Sequence, residues 1–150
     1  MLPSRVALSS GSEGITAINT IMIVIGISLD TLSRPTPVIG YSTQVGYFAK
    51  AVHPIVLGKV MSIAKMVKVE FDNDNYSLST IGGVETCSGA AEFILLGTNT
   101  VQMCTGVMMH DYGLVEKLSL ELKDYMIDFV VNIQRWLQVS LSVDLVKSTL

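Results

Sequence analysis

Charge is scarce in this chain: Asp, Glu, Lys and Arg make up only 15% of its 150 residues. The net charge is −3 and no run of Lys or Arg occurs, which argues against nucleic acid as a partner. Cysteine is almost missing. Cys87 and Cys104 alone cannot build a disulfide framework, nor a zinc or iron–sulfur ligand set, and reduced thiols in an intracellular compartment are the simpler expectation. The two histidines, His53 and His110, lack metal-ligand spacing with each other or with a cysteine. A long hydrophobic run is missing too. Gly14 to Leu29 carries no charge, yet it is shorter than the ~20 apolar residues of a spanning helix, and Asn19 and Thr20 interrupt it. A buried strand followed by the start of a buried helix is expected there. The opening "MLPSRVALSSGSEG" has no apolar core ahead of a cleavage site. Neither a membrane span nor a targeting segment is expected.

What is present is apolar residues, 49% of the chain, with a mean hydropathy of +0.51. That suits one domain whose elements are buried on more than one face, as parallel strands are. Ile15 to Ile18, Leu78 to Ile81 and Thr100 to Met103 read as strands. Pro54 suits the first turn of a helix whose apolar face is Val56, Val60, Ile63, Ala64 and Val67, with Lys59, Lys65 and Lys68 pointing elsewhere. Ala90, Ala91, Ile94 and Leu95 mark a second helix, which Thr86 can cap and Gly97 can stop. Leu118, Leu122, Tyr125, Met126 and Phe129 mark a third. The stretch from Ser33 to Pro54 reads as a long loop by its Pro, Gly and Ser content. Met61, Met66, Met103, Met108 and Met109 read as core filler, His53 as a loop cap or solvated group, and His110 as a loop-edge residue. The order is β-α-β-α-β-α, with parallel strands and right-handed crossovers.

Gly82-Gly83 then falls at the carboxyl end of a strand, where α/β sheets and barrels hold ligands. Residues without Cβ let backbone amides approach a phosphate closely. A tight turn uses the same pair, and from spacing alone the turn is the simpler reading. Asn19-Thr20, ending an earlier strand, equally suits an Asx-type turn. Three units do not close a parallel barrel, which needs eight strands. The chain is expected to be the end portion of something longer.

"EGITAINTI", "KAVHPIVLGKVMSIAKM", "SLSTIGGVETCSGAAEFILLGTNTVQMCTGVMMHDYGLV" and "ELKDYM" occur in the order and spacing of a known family. From Arg5 to about Met126 the chain resembles the C-terminal part of the flavin barrel of the dihydropyrimidine dehydrogenases, the plant form in particular. Dihydroorotate dehydrogenase shares that barrel but matches less well around Cys104. The resemblance implies an α/β fold, about three βα units of a TIM barrel, with residues 1–126 as a partial FMN-binding domain and 127–150 as a divergent tail. It implies the reduction of uracil and thymine to 5,6-dihydropyrimidines on FMN with electrons from NADPH, in pyrimidine catabolism. Carried over residue by residue, Ile81, Gly82, Gly83, Cys104 and Thr105 contact FMN, and Asn19 and Thr20 contact the pyrimidine. The family's catalytic cysteine lies upstream of the matched segment, so neither Cys87 nor Cys104 takes its place. The implied compartment is the cytosol, or the plastid if a targeting segment is missing. A homo-oligomer through an apolar open barrel edge is the implied assembly.

Departures accompany the matches. Val45, Gly46, Tyr47 and Phe48 stand where the family has Gly-Gly-x-Ser, and Ala49 where many relatives have glycine. After Met126 the tail is apolar and leaves Trp136 exposed unless it finds a partner. Two classes of function stay open: part of a pyrimidine-reducing flavoenzyme, inactive alone, or a non-catalytic truncated or interaction protein.

Overall fold

The computed structural model describes residues 2–24, 26, 29–30, 44–71 and 75–147, with side chains through residue 130. Half of the loop read between Ser33 and Pro54, and the side chain of Trp136, lie outside the described residues. The frame is a three-stranded parallel sheet in the order β1-β4-β5, formed by Gly14–Ala17, Ser77–Ile81 and Thr100–Gln102. Ile15 lies beside Leu78, and Thr80 beside Val101. These residues face the helices. Thr16, Ser79, Ile81, Thr100 and Gln102 alternate with them and face the opposite way. This is an arc of a TIM-barrel wall: strands alternate with helices on one face, the other face is open, and the described residues close no barrel.

Helix α2 (His53–Glu70) covers the sheet because its apolar spacing is helical. Val56, Val60, Ile63, Met66 and Val67 are buried, in one core with Leu78, Ala90 and the fully enclosed Phe93. Pro54 sits in the first turn, as expected. Helix α3 (Cys87–Leu95) starts where the Thr86 hydroxyl accepts the Gly89 N–H at 3.2 Å. Beyond its last turn comes Gly97 at φ +93°, a conformation that costs glycine little. Asn99 then clamps β4, donating its N–H to the Leu78 carbonyl and accepting the Leu78 N–H on Oδ1.

Four expectations change. The run after Asn19 is a strand, β2 (Ile21–Ile23), not the start of a helix, and it pairs antiparallel with β3 (Val45–Tyr47), which had read as loop. β-branched isoleucines lose side-chain freedom in a helix and pack well on a pleated surface. The opening residues form a helix, α1 (Leu2–Ser9), which buries Leu8, and Arg5 on it forms an ion pair with Glu70 at the end of α2. Those direct hydrogen bonds hold the Glu70 carboxyl below its usual range. Among the methionines, Met66 is core, but Met61, Met108 and Met109 are exposed. His53 is not a solvated loop group. Its ring packs edge-on against Phe93, with centroids 5.0 Å apart.

Beyond β5 come α4 (Thr105–His110) and a 35-residue helix, α5 (Gly113–Lys147). Leu114 and Leu118 of α5 are buried, whereas Tyr125, Met126 and Phe129 are exposed. The helix crosses Met126 and Ile127 without a break.

Candidate functional site

The carboxyl ends of β1, β4 and β5 surround an open cavity of about 510 Å³. Asn19 and Thr20 follow β1, Ile81 ends β4 and leads into Gly82-Gly83, and Cys104 and Thr105 follow β5; all seven line this cavity. Tyr47, Phe48, Ala49 and Gln102 also line it. Its described lining holds no Asp, Glu, Lys, Arg or His. An anion there would meet no opposing carboxylate and no pairing cation, so backbone amides and hydroxyls would have to hold it.

The turn after β5 supplies such amides. The first N–H groups of any helix lack partners in its own ladder. At α4 the N-cap residue, Cys104, gives no side-chain cap, so the Thr105 and Gly106 amides are not served as Thr86 serves Gly89 in α3. The Cys104 side chain is exposed, while Cys87 is half-buried at the start of α3. Desolvation, with the Glu121 carboxylate adding to it, pushes the Cys87 thiol up and away from the nucleophilic thiolate.

Packing within the chain already requires glycine at both positions. A Cβ on Gly82 would stand 2.4 Å from Val56 Cγ2, and one on Gly83 would stand 2.7 Å from the Ala49 carbonyl oxygen. Gly83 also has φ +69°. The missing side chains make room for Val56, Ala49 and Lys50, which pack against the loop. Ala49, part of that packing, holds φ +67° and ψ −160°, a region otherwise almost confined to glycine.

Asn19 and Thr20 are exposed at the other side of the mouth. Asn19 Oδ1 accepts the Thr20 N–H at 2.7 Å, which fixes the orientation of the amide and leaves its NH2 group able to donate outward. The Thr20 side chain packs over Gly46, where a Cβ would approach it to 2.9 Å. Glycine at 46 therefore lets β3 pair with β2 over this residue.

Polar contacts of Gln102, Thr100 and His53 were not foreseen from the sequence. Gln102 Nε2 and Thr100 Oγ1 each donate to Ser79 Oγ at 2.7 Å on the open face of the sheet. Their alternation in β5 was the available signal. His53 lies behind the Gly-Gly loop, with Nδ1 3.1 Å from the Gly82 carbonyl and Nε2 2.8 Å from Glu92. Nothing local marks it, because both partners are distant in sequence.

No family model matches the chain. Individual proteins do. It is 66% identical over 125 residues, 83% of its length, to the chloroplastic dihydropyrimidine dehydrogenase (NADP(+)) of Arabidopsis thaliana. Over this stretch the chain belongs to the dihydropyrimidine dehydrogenase family. It is also 37% identical over 122 residues to the NAD-dependent dihydropyrimidine dehydrogenase subunit PreA of Escherichia coli K12. Over 128 residues it is 29% identical to the catalytic subunit of dihydroorotate dehydrogenase B (NAD(+)) of Citrifermentans bemidjiense. The chain spans 29% of the length of the first two relatives and 38% of the third. No helix among the described residues is long and apolar enough to cross a membrane. Among those residues, no group of His, Cys, Asp and Glu is placed to hold a metal ion.

Proposed function

We propose that this cavity is the phosphate end of an FMN site in a pyrimidine-reducing flavoenzyme barrel, to which residues 1–126 contribute. The carrying observation is that the loops after β1, β4 and β5 bring all seven residues to one uncharged cavity. Loops after the last strands of such barrels commonly hold phosphate. In this reading Gly82, Gly83, Cys104 and Thr105 offer amides and a hydroxyl to the phosphate and ribityl chain, and Ile81 offers an apolar edge. When bound, FMN supplies the hydride that reduces the 5,6 double bond of uracil or thymine, with NADPH as electron source. Asn19 and Thr20 orient the base, the free NH2 of Asn19 donating to a pyrimidine carbonyl. The compartment that goes with this reading is the cytosol, or the plastid, as in the name of the Arabidopsis relative.

Replacing Thr105 with Glu tests the assignment. A carboxylate in the first turn of a helix is stabilising, by about 0.3–1 kcal/mol, so the fold should hold. The same charge would repel a phosphate. Flavin fluorescence should show FMN quenched by the parent chain, competed by inorganic phosphate, and quenched at least about tenfold less tightly by Thr105→Glu. Equal FMN affinity in a folded Thr105→Glu protein would remove phosphate from this site.

A second reading rests on the open sheet. β1 and β5 are its outer strands, and the surface that would face a barrel interior is exposed and mostly polar at Thr16, Thr100 and Gln102. Completion of the wall by another barrel segment, with this chain as a non-catalytic subunit, fits that surface.

A further inference from the structure

We propose that His53 is a positioning residue for the anion site, acting through the Gly82–Gly83 peptide. The inference rests on the phosphate-site reading and adds to it a residue outside the cavity wall.

A carbonyl oxygen only accepts, so the 3.1 Å contact to Gly82 requires His53 Nδ1 to carry hydrogen and donate. Glu92 Oε2 lies 2.8 Å from the other ring nitrogen, Nε2. The ring is held a third way by its edge-on contact with Phe93, which is fully enclosed. His53 is therefore fixed from α2, α3 and the core at once.

The consequence lies in peptide geometry. In a planar trans peptide the C=O and the following N–H point in opposite directions. His53 does not line the cavity; it lines a separate hollow of about 250 Å³ behind the loop, with Lys50, Glu85 and Glu92. Holding the Gly82 oxygen toward His53 turns the Gly83 N–H away from that ring and, in this proposal, toward the cavity that both glycines line. A peptide flanked by two glycines is the easiest kind to flip, because neither residue has a Cβ to oppose either orientation. The His53 hydrogen bond selects the orientation that presents an N–H donor to an anion.

The test compares FMN with riboflavin, which lacks the phosphate, by fluorescence titration of the full 150-residue chain. The parent should prefer FMN. His53→Phe keeps a ring against Phe93 but removes the donor, and should lower FMN affinity about tenfold with riboflavin binding unchanged. His53→Asn places an N–H near the position of Nδ1 and should restore most of the preference. Glu92→Ala, at an exposed position, should act in the same direction with a smaller loss, and serves if His53→Phe does not fold by circular dichroism. Folded His53→Phe retaining the parental FMN-to-riboflavin ratio would overturn the role of His53 while leaving the phosphate site intact. If His53→Phe does not fold, an unchanged ratio in Glu92→Ala overturns it. A parent with no preference for FMN would remove the phosphate site itself, and the role of His53 with it.

Discussion

Ala49 is where a single residue shows the strain behind the site. Its φ of +67° with ψ −160° puts a Cβ in a region that normally only glycine occupies, at a cost on the order of 1–3 kcal/mol. Its carbonyl accepts the Val52 N–H and would meet any Cβ at Gly83, so the neighbours hold it there. Ala49→Gly should relieve the strain, less the entropy glycine gives up on folding. We expect a net gain of about 1 kcal/mol, read as a higher urea midpoint with unchanged slope. A lower midpoint would mean that this backbone conformation is not strained. The glycine requirement at 82 and 83 was legible as a need for small residues at a strand end. Its cause was not, because Val56 and Ala49 arrive from a distant segment.

Among the elements, the two ends of α3 were legible because their signals are local, a threonine cap and a glycine stop, but its buried face was not: Phe93 is enclosed, while Ile94 and Leu95, read as part of that face, are exposed. Thr86→Ala removes the hydroxyl that accepts the Gly89 N–H and should cost about 1 kcal/mol by denaturant unfolding. No loss would mean that the first turn of α3 does not depend on the cap. The β2–β3 pair was not legible for the opposite reason. Neither three-residue strand carries enough pattern alone, and each exists by pairing across the segment between them. Helix α1 was missed because a short apolar face reads as a helix only once Leu8 is seen in the core.

On the scale of the whole molecule, three parallel strands and their helices make an arc that leaves one side of the cavity open. Small-ligand sites usually bury most of the ligand against apolar walls, so FMN held by its phosphate end alone should bind weakly. The chain's two cysteines lie at the start of α3 and in the turn before α4, and in this reading neither is the proton donor. Positioned acid catalysis commonly contributes about 10²–10⁴-fold. The 150-residue chain by itself should therefore show no uracil-dependent oxidation of NADPH above the buffer rate, and a measurable rate would show that it carries a complete reaction site. The α/β class was legible because strands and helices alternate, whereas the barrel arc was implied only by the family resemblance. The exposed run of Tyr125, Met126 and Phe129 was not legible, since helical spacing alone reads the same whether a face is covered or bare.

The central assignment is that amides after β4 and β5 hold a flavin phosphate, and amide chemical-shift mapping on the ¹⁵N-labelled chain tests it most directly. Added FMN should move the Gly83, Cys104, Thr105 and Gly106 resonances together, inorganic phosphate should move the same set, and riboflavin, which keeps the ribityl chain but lacks the phosphate, should move them less. Shifts that spare these four amides, or that riboflavin reproduces in full, would contradict the assignment and return Gly82-Gly83 to a tight turn packed over Val56 and Ala49.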